Sequence, residues 1–377
     1  MPDVEDESRS RGVVSTATVG RGGAGCVDGE RGTRGGVGAW WVAVIGLCAL
    51  PAVCVLAVCI GAVTVAPGVV FQVLRDHVVP GSAPVSPEVI DGQIIWTYRV
   101  PRTMAAVLVG AALAMSGAVL QVVVGNPLAE PGVLGVSAGA TLAAVVTMTT
   151  VTTMGASVST PVAGFLGSMV TLLLVIVLSR GHGGFTGGRI VLAGVGVGQV
   201  ALAATTFVQL QAHPTEVKGI LFWMMGSVAG TESVGDLVIP AVGVAGAGCV
   251  AVVHGRHLNA LAFGDEDAIS LGISPSRLRL VMIVVVSVLT GVSVALAGGV
   301  AFVGLFVPHL VRFVVGPDNR WVVPLSALWG GVVLVLIDIC SRSLFDGQEF
   351  PLTVFTGAVG APFFLWILHR HRSGGVL

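Results

Sequence analysis

From Thr103 to Val122 the chain runs twenty residues without a charge. A bilayer core about 30 Å thick needs roughly 20 such residues to be crossed by a helix. Arg99, Pro101 and Arg102 stand just before this run, and Gly125, Asn126, Pro127 and Pro131 break the chain just after it, around one acid, Glu130. A second apolar run follows at once. Two uncharged runs joined by a tight polar break read as a membrane hairpin, and the rest of the chain repeats the pattern.

Composition agrees. Hydrophobic residues make up 54% of the 377 residues and charged ones 10%, against about 25% charged in a soluble domain. The long apolar runs are too many to be buried helices of one soluble core, so the class is an all-α polytopic membrane protein. The 54 glycines follow no collagen period. In lipid, small residues let helices approach closely where apolar burial no longer drives association. A net charge of −1 gives no hint of a nucleic-acid partner. The six cysteines form no CxxC pair and read as small buried hydrophobes.

Residues 1–37 are polar, without a periodic apolar face, and are expected to be a disordered cytoplasmic tail. The membrane-spanning body then covers 38–372. Ten spans are expected, at about 39–65, 103–122, 136–154, 160–178, 190–208, 236–253, 279–297, 299–315, 323–341 and 351–368. The split at Gly298 is the weakest of them. A surface helix is expected over Val69–His77 and an interfacial one over Ile220–Gly230. Fourteen of the nineteen Lys and Arg residues then fall on one side, five on the other. The richer side is the cytoplasm by the positive-inside bias, which places both termini there. The Arg99–Arg102 end faces outward and the 125–135 break faces inward.

Three outer cations, Arg99, Arg102 and Arg342, stand at span ends. They read either as interface anchors whose heads reach water or as a positive rim that receives an acidic partner. Pro101 suits a helix start, because its missing N–H would be unpaired there anyway. Asp338 is the one acid well within a span. A lone carboxylate in hydrocarbon is costly, so it lies near the outer end, pairs inside the bundle or lines a wet cavity. Pro127 and Pro308, with Asn126 in the break, are candidate bend or gating positions. Residues 258–275 carry Asp265, Glu266 and Asp267 and fit a short amphipathic element in an inner loop. No metal-ligand cluster and no phosphate loop of the G-x-x-x-x-G-K-S/T type occur, and the sole lysine is Lys218. ATP, if used, is hydrolysed by another chain.

RVPR at 99–102, GNPLAEPGVLGVSAGA at 125–140, FWMMGS at 222–227, LAFGDEDAISLGI at 261–273, GGVAFVGLFVPHLVR at 298–312 and FPLTVFTGAVGAPFFLWIL at 350–368 together resemble one family. It is that of FecCD-type permease subunits, from binding-protein-dependent ABC importers for iron–siderophore, haem and vitamin B12 uptake. The resemblance covers nearly everything after residue 40. It implies a ten-helix fold like that of vitamin B12 importer permeases, a second permease subunit, identical or homologous, two cytoplasmic ATPases that bind the ATP, and an external substrate-binding protein. It implies that Arg99, Arg102 and Arg342 engage acids on that binding protein. It also implies that the 261–273 segment, with Leu261, Gly264, Asp265, Glu266, Ala268, Leu271 and Gly272, docks into the ATPase. Gln199 and Gln209, on and just after the fifth span, become pathway candidates.

The expected function is therefore a non-catalytic permease subunit in the cytoplasmic membrane with ferric siderophore as cargo. Cobalamin or haem is the alternative within the family. An ion-driven secondary transporter, built on broken helices and inverted repeats, is the rival of a different class, and a non-transporting membrane receptor is a third. Glu130 has a position but no role.

Overall fold

A computed structural model describes residues 31–61, 64–78, 92–154, 159–180, 185–344 and 348–372. The regular elements are helices. They are α1 (Arg31–Cys59), α2 (Pro67–Val78), α3 (Val100–Val124), α4 (Val136–Met154), α5 (Thr160–Ser179), α6 (Gly187–Gln209) and α7 (Pro214–Met224). There follow α8 (Val238–Val253), α9 (Gly255–Phe263), α10 (Asp265–Ser270), α11 (Pro275–Ala297), α12 (Val303–Val315), α13 (Asn319–Ser343) and α14 (Leu352–Arg372). Each expected span is met by one helix: α1, α3, α4, α5, α6, α8, α11, α12, α13 and α14. Seven helical segments among the described residues are long and apolar enough to cross a membrane, and α4, α12 and α14 supply three shorter apolar ones.

The bundle is built around α3, α11 and α13. In the apolar stretch of α3, 72% of residues are buried inside the chain, against 17% in α1. Small side chains explain the centre. Ala105, Ala106, Ala112, Ala114 and Ala118 of α3 are fully buried. Where α3 crosses α13, a methyl group at Gly110 would run into the Gly330 carbonyl. That is the close backbone approach that holds helices together where lipid is as apolar as leucine. The outer helices α5, α6 and α8 leave rows of Leu, Val and Phe exposed, as a face turned to lipid or to a second subunit requires.

Several boundaries differ from expectation for local reasons. Residues 1–30 of the expected disordered tail lie outside the described residues, while 31–37 are already helical in α1. The first span ends at Cys59, short of Val65. The second does not begin after the arginines: a π-helical turn, Ile94–Arg99, runs straight into α3. Pro101 therefore sits near the start of the α-helical part but not at the start of the helical chain. A proline ring clashes with the carbonyl four residues back, and the wider turn ahead of it relieves that clash. The interfacial helix is α7, which starts at Pro214 and stops at Met224. The eighth span opens only at Val303, after an irregular stretch from Gly298. Of the cysteines, Cys48 and Cys249 are exposed on the helix bundle and not buried as expected.

Candidate functional site

Two ends and one mid-bundle junction carry the charged and irregular features. At the first end Arg99, Arg102 and Arg342 do come together, but they point inward. Arg99 is buried and donates Nη1 to the carbonyls of Val58 at 2.6 Å and Cys59 at 3.1 Å. Arg342 donates to the Ala57 carbonyl. These are carbonyls of the last turn of α1, which have no intrahelical partner. A guanidinium there also complements the negative end of the helix dipole.

Arg102 faces two acids. Its Nε and Nη2 donate to Oδ1 of Asp338 at 2.9 and 2.7 Å. Its Nη2 and Nη1 donate to Oε1 and Oε2 of Glu349 at 2.7 and 3.2 Å. Asp338 is fully buried. Its Oδ2 lies 3.2 Å from Nε of Arg342, yet neither atom is aligned for a hydrogen bond, so that pair is held by charge alone. Of the placements open to Asp338, pairing inside the bundle is the observed one. The three arginines expected at the rim thus stand with two carboxylates in an inward cluster that ties α1, α3, α13 and the entry to α14.

The mid-bundle junction joins the ends of three elements. Ser227 donates its N–H to the Ala297 carbonyl, and the N–H groups of Leu352 and Thr353 reach the carbonyls of Gly226 and Met225. The Thr353 hydroxyl donates to the Gly299 carbonyl. The 125–135 break does not stay at the inner surface. It folds back, so that Glu130 accepts the N–H of Phe302. With Leu113, Met224, Met225 and Gly299 it lines a cavity of about 290 Å³. Phe302 has φ 69° and is the one non-glycine residue with positive φ among the described residues. Its ring lies against Gly360 of α14. Asn126 makes its own local turn, its Oδ1 accepting the Leu128 N–H at 2.9 Å. Pro127 borders a small niche with His309 and Phe363, and Pro308 is buried within α12.

The opposite end carries α9 and α10. Arg102 and Val123 lie about 32 Å apart along α3 at about 1.5 Å per residue, so the two ends are a membrane thickness apart. Arg279, on the first turns of α11, ties them to α3. It donates Nε to the Val123 carbonyl at 3.2 Å, and Nη1 and Nη2 to Asp265 at 2.8 and 2.6 Å. That guanidinium holds the Asp265 carboxyl below the usual range. Asn259 of α9 donates to Asp318 at 2.7 Å. Hydrogen bonds from Arg320 first, and then from Asn259, bring Asp318 down to about 2. Gly264, between α9 and α10, has φ 126°, and Gly272 has φ 77°. Leu261 and Ala268 are buried, whereas Phe263, Ile269 and Leu271 are 80, 61 and 68% exposed. Asp265 is thus a bracket, and the open surface carries these three apolar side chains beside the exposed acids Glu266 and Asp267.

Gln199 lies exposed on α6. Gln209 is half-buried and donates to the sulfur of Met224 at 2.7 Å; the two are not brought together with the arginine cluster. Sequence reasoning passed over Ser227, Arg279, Asn259, Asp318 and Glu349. Apart from Arg320, two residues from Asp318, the partners given above lie 14 to 247 residues away, so no local signal marked these contacts.

The model of the FecCD transport family matches residues 49–370. The vitamin B12 import system permease protein BtuC of Vibrio cholerae is 39% identical over 285 residues, covering 75% of this chain and 85% of that protein. The iron(3+)-hydroxamate import system permease protein FhuB of Bacillus subtilis is 34% identical over 340 residues, covering 89% and 85%. A solved inward-facing structure of an ABC transporter assigned to the metal-chelate type superposes with a TM-score of 0.74 at 27% identity, covering 86% of this chain and 97% of that one. The ten apolar helices, the folded-back break and this match over most of the chain lead to one conclusion: the chain belongs to the FecCD transport family, as a non-catalytic, multi-pass membrane permease subunit of an ABC importer for a metal chelate or vitamin-type cargo.

Proposed function

We propose that this permease moves cobalamin across the cytoplasmic membrane. The observation that supports this cargo over the expected ferric siderophore is the higher identity to a vitamin B12 permease than to an iron-hydroxamate one, 39% against 34%. In this reading two permease subunits, identical or homologous, enclose the pathway, two ATPases bind and hydrolyse ATP, and an external substrate-binding protein delivers the cargo. The exposed face of α6, with Gln199 and near Gln209, contributes to the pathway or to the contact with the second permease.

Arg99, Arg102 and Arg342 form the docking end. Three guanidinium groups against the two carboxylates of Asp338 and Glu349 leave a positive excess, which steers acidic groups of a binding protein to this end. The α9–α10 unit forms the coupling end. An exposed apolar patch at a polar end of a membrane bundle marks a protein contact, and Phe263, Ile269 and Leu271 supply one. Leu261, Gly264, Asp265, Ala268 and Gly272 shape the element, and Glu266 adds an exposed acid. Pro101, Asn126, Pro127, Pro308 and Asp338 fix the bends and the pairing between the ends. Nucleotide then shifts the population of two bundle arrangements.

The test is uptake by the permease reconstituted with its ATPase and binding protein, with cyanocobalamin, ferric hydroxamate and haemin in competition. Cobalamin is expected to be taken up and to be displaced weakly by the other two. Uptake of ferric hydroxamate that ignores a cobalamin excess would return the reading to siderophore.

A further inference from the structure

We propose that Glu349 is an internal stand-in for an acidic group of the substrate-binding protein. It holds Arg102 while the permease is undocked and is displaced when an external carboxylate takes its place. This inference rests on the docking reading of Arg102 given above and adds the residue that reports docking to the bundle.

The two acids on Arg102 differ in status. Asp338 lies within α13, is fully buried and is shared with Arg342. Removing it would strand two buried cations, so it stays. Glu349 sits on the short connection entering α14, and its side chain is 30% exposed. It occupies the Nη1–Nη2 edge of the guanidinium, while Asp338 occupies the Nε–Nη2 edge. A guanidinium edge accepts one carboxylate in this two-point geometry. An incoming acid therefore competes with Glu349 and not with Asp338. The exchange keeps the charge on Arg102 balanced, and Glu349 moves toward water that it already meets.

Glu349 has a second partner. Its Oε1 also accepts the Ser227 hydroxyl at 3.2 Å. Ser227 belongs to the turn after α7, whose backbone is hydrogen-bonded to Ala297 at the end of α11 and to Leu352 and Thr353 at the start of α14. Displacing Glu349 therefore loosens the side-chain link that runs from Arg102 through Glu349 to Ser227 at this junction. Docking at Arg102 is delivered to α14, the helix that carries Gly360 against Phe302.

The experiment measures docking of the substrate-binding protein that supports uptake in the reconstituted system, on the complete permease–ATPase complex in nanodiscs. Glu349→Gln keeps the shape but removes the competing charge, and is expected to dock at least three-fold tighter than wild type. Ser227→Ala loosens the stand-in without changing any charge, and is expected to move docking in the same direction by less. A spin label at Gln348→Cys is expected to gain mobility on docking in the wild-type background and to be mobile beforehand in Glu349→Gln. Arg102→Glu is the control for the docking reading and is expected to lose binding. If Arg102→Glu loses docking while Glu349→Gln and Ser227→Ala both dock as wild type, the stand-in is overturned and the docking reading survives. If Arg102→Glu docks normally, both fall.

Discussion

Glu130 illustrates how one side chain can be placed by sequence and explained only by structure. It stands in a break between two spans, which marks it as a loop acid. Its partner is the backbone N–H of Phe302, 172 residues away, and no pattern in the chain points there. The carboxylate serves two ends at once. It satisfies a donor at the N-terminus of α12, where a negative group also complements the helix dipole. It also holds Phe302 in a left-handed conformation that non-glycine residues rarely adopt. Replacing it with alanine leaves a buried donor unpaired, at a cost of about 1–3 kcal/mol, whereas glutamine keeps an acceptor oxygen. Glu130→Ala is therefore expected to lower the unfolding temperature of the detergent-solubilised permease clearly, and Glu130→Gln to lower it by less than half as much. Equal losses in the two variants would show that charge, not the hydrogen bond, is what this position needs. Asp338 differs in degree: its apolar surroundings left three placements open, one of them pairing, and the structure selects pairing and supplies the partners, Arg102 and Arg342.

At the scale of elements, the long spans were legible because a helix in lipid must satisfy its backbone internally, so each apolar run of sufficient length had one solution. What the runs could not reveal is where helices start when polar residues are folded in. The π turn before α3 and the irregular stretch before α12 are such cases, and the second depends on neighbours, Glu130 and Thr353, that supply hydrogen bonds to Phe302 and Gly299. The α9–α10 unit is a further case. Its composition marked a short amphipathic element, but its sharp joint depends on Gly264. A side chain at Gly264 would meet open space, so bulk is not the objection; the φ of 126° is. Holding a non-glycine residue in such a region costs on the order of 1–3 kcal/mol. Gly264→Ala is expected to leave membrane insertion intact and to turn the axis of α10, lowering uptake several-fold while global stability changes little. Uptake at the wild-type rate would remove the joint from the coupling mechanism.

The whole molecule is polarised. One end holds buried, mutually paired charges, and the other holds an exposed apolar patch on two short helices, about 32 Å away along α3 by helix rise. Both features follow from the same solvent logic. Cations close to the hydrocarbon must be paired, so Arg99, Arg102 and Arg342 turn inward although the sequence places them at span ends. Among the described residues nothing covers the apolar side chains at this end, so Phe263, Ile269 and Leu271 stay open. An uncovered patch of this kind costs solubility unless a partner buries it. At about 25 cal/mol per Å² of apolar surface removed from water, a few such side chains make a large share of a modest interface. Phe263→Ser with Leu271→Ser is therefore expected to leave the fold and membrane insertion unchanged, because neither side chain packs inside the chain, and to reduce co-purification of the ATPase at least ten-fold. The measurement is the ATPase-to-permease ratio after affinity purification at two salt concentrations. A contact made by apolar burial keeps its ratio as salt rises, whereas one made by Glu266 and its acidic neighbours falls. A double variant that still retains a full complement of ATPase would move the coupling surface away from α9 and α10.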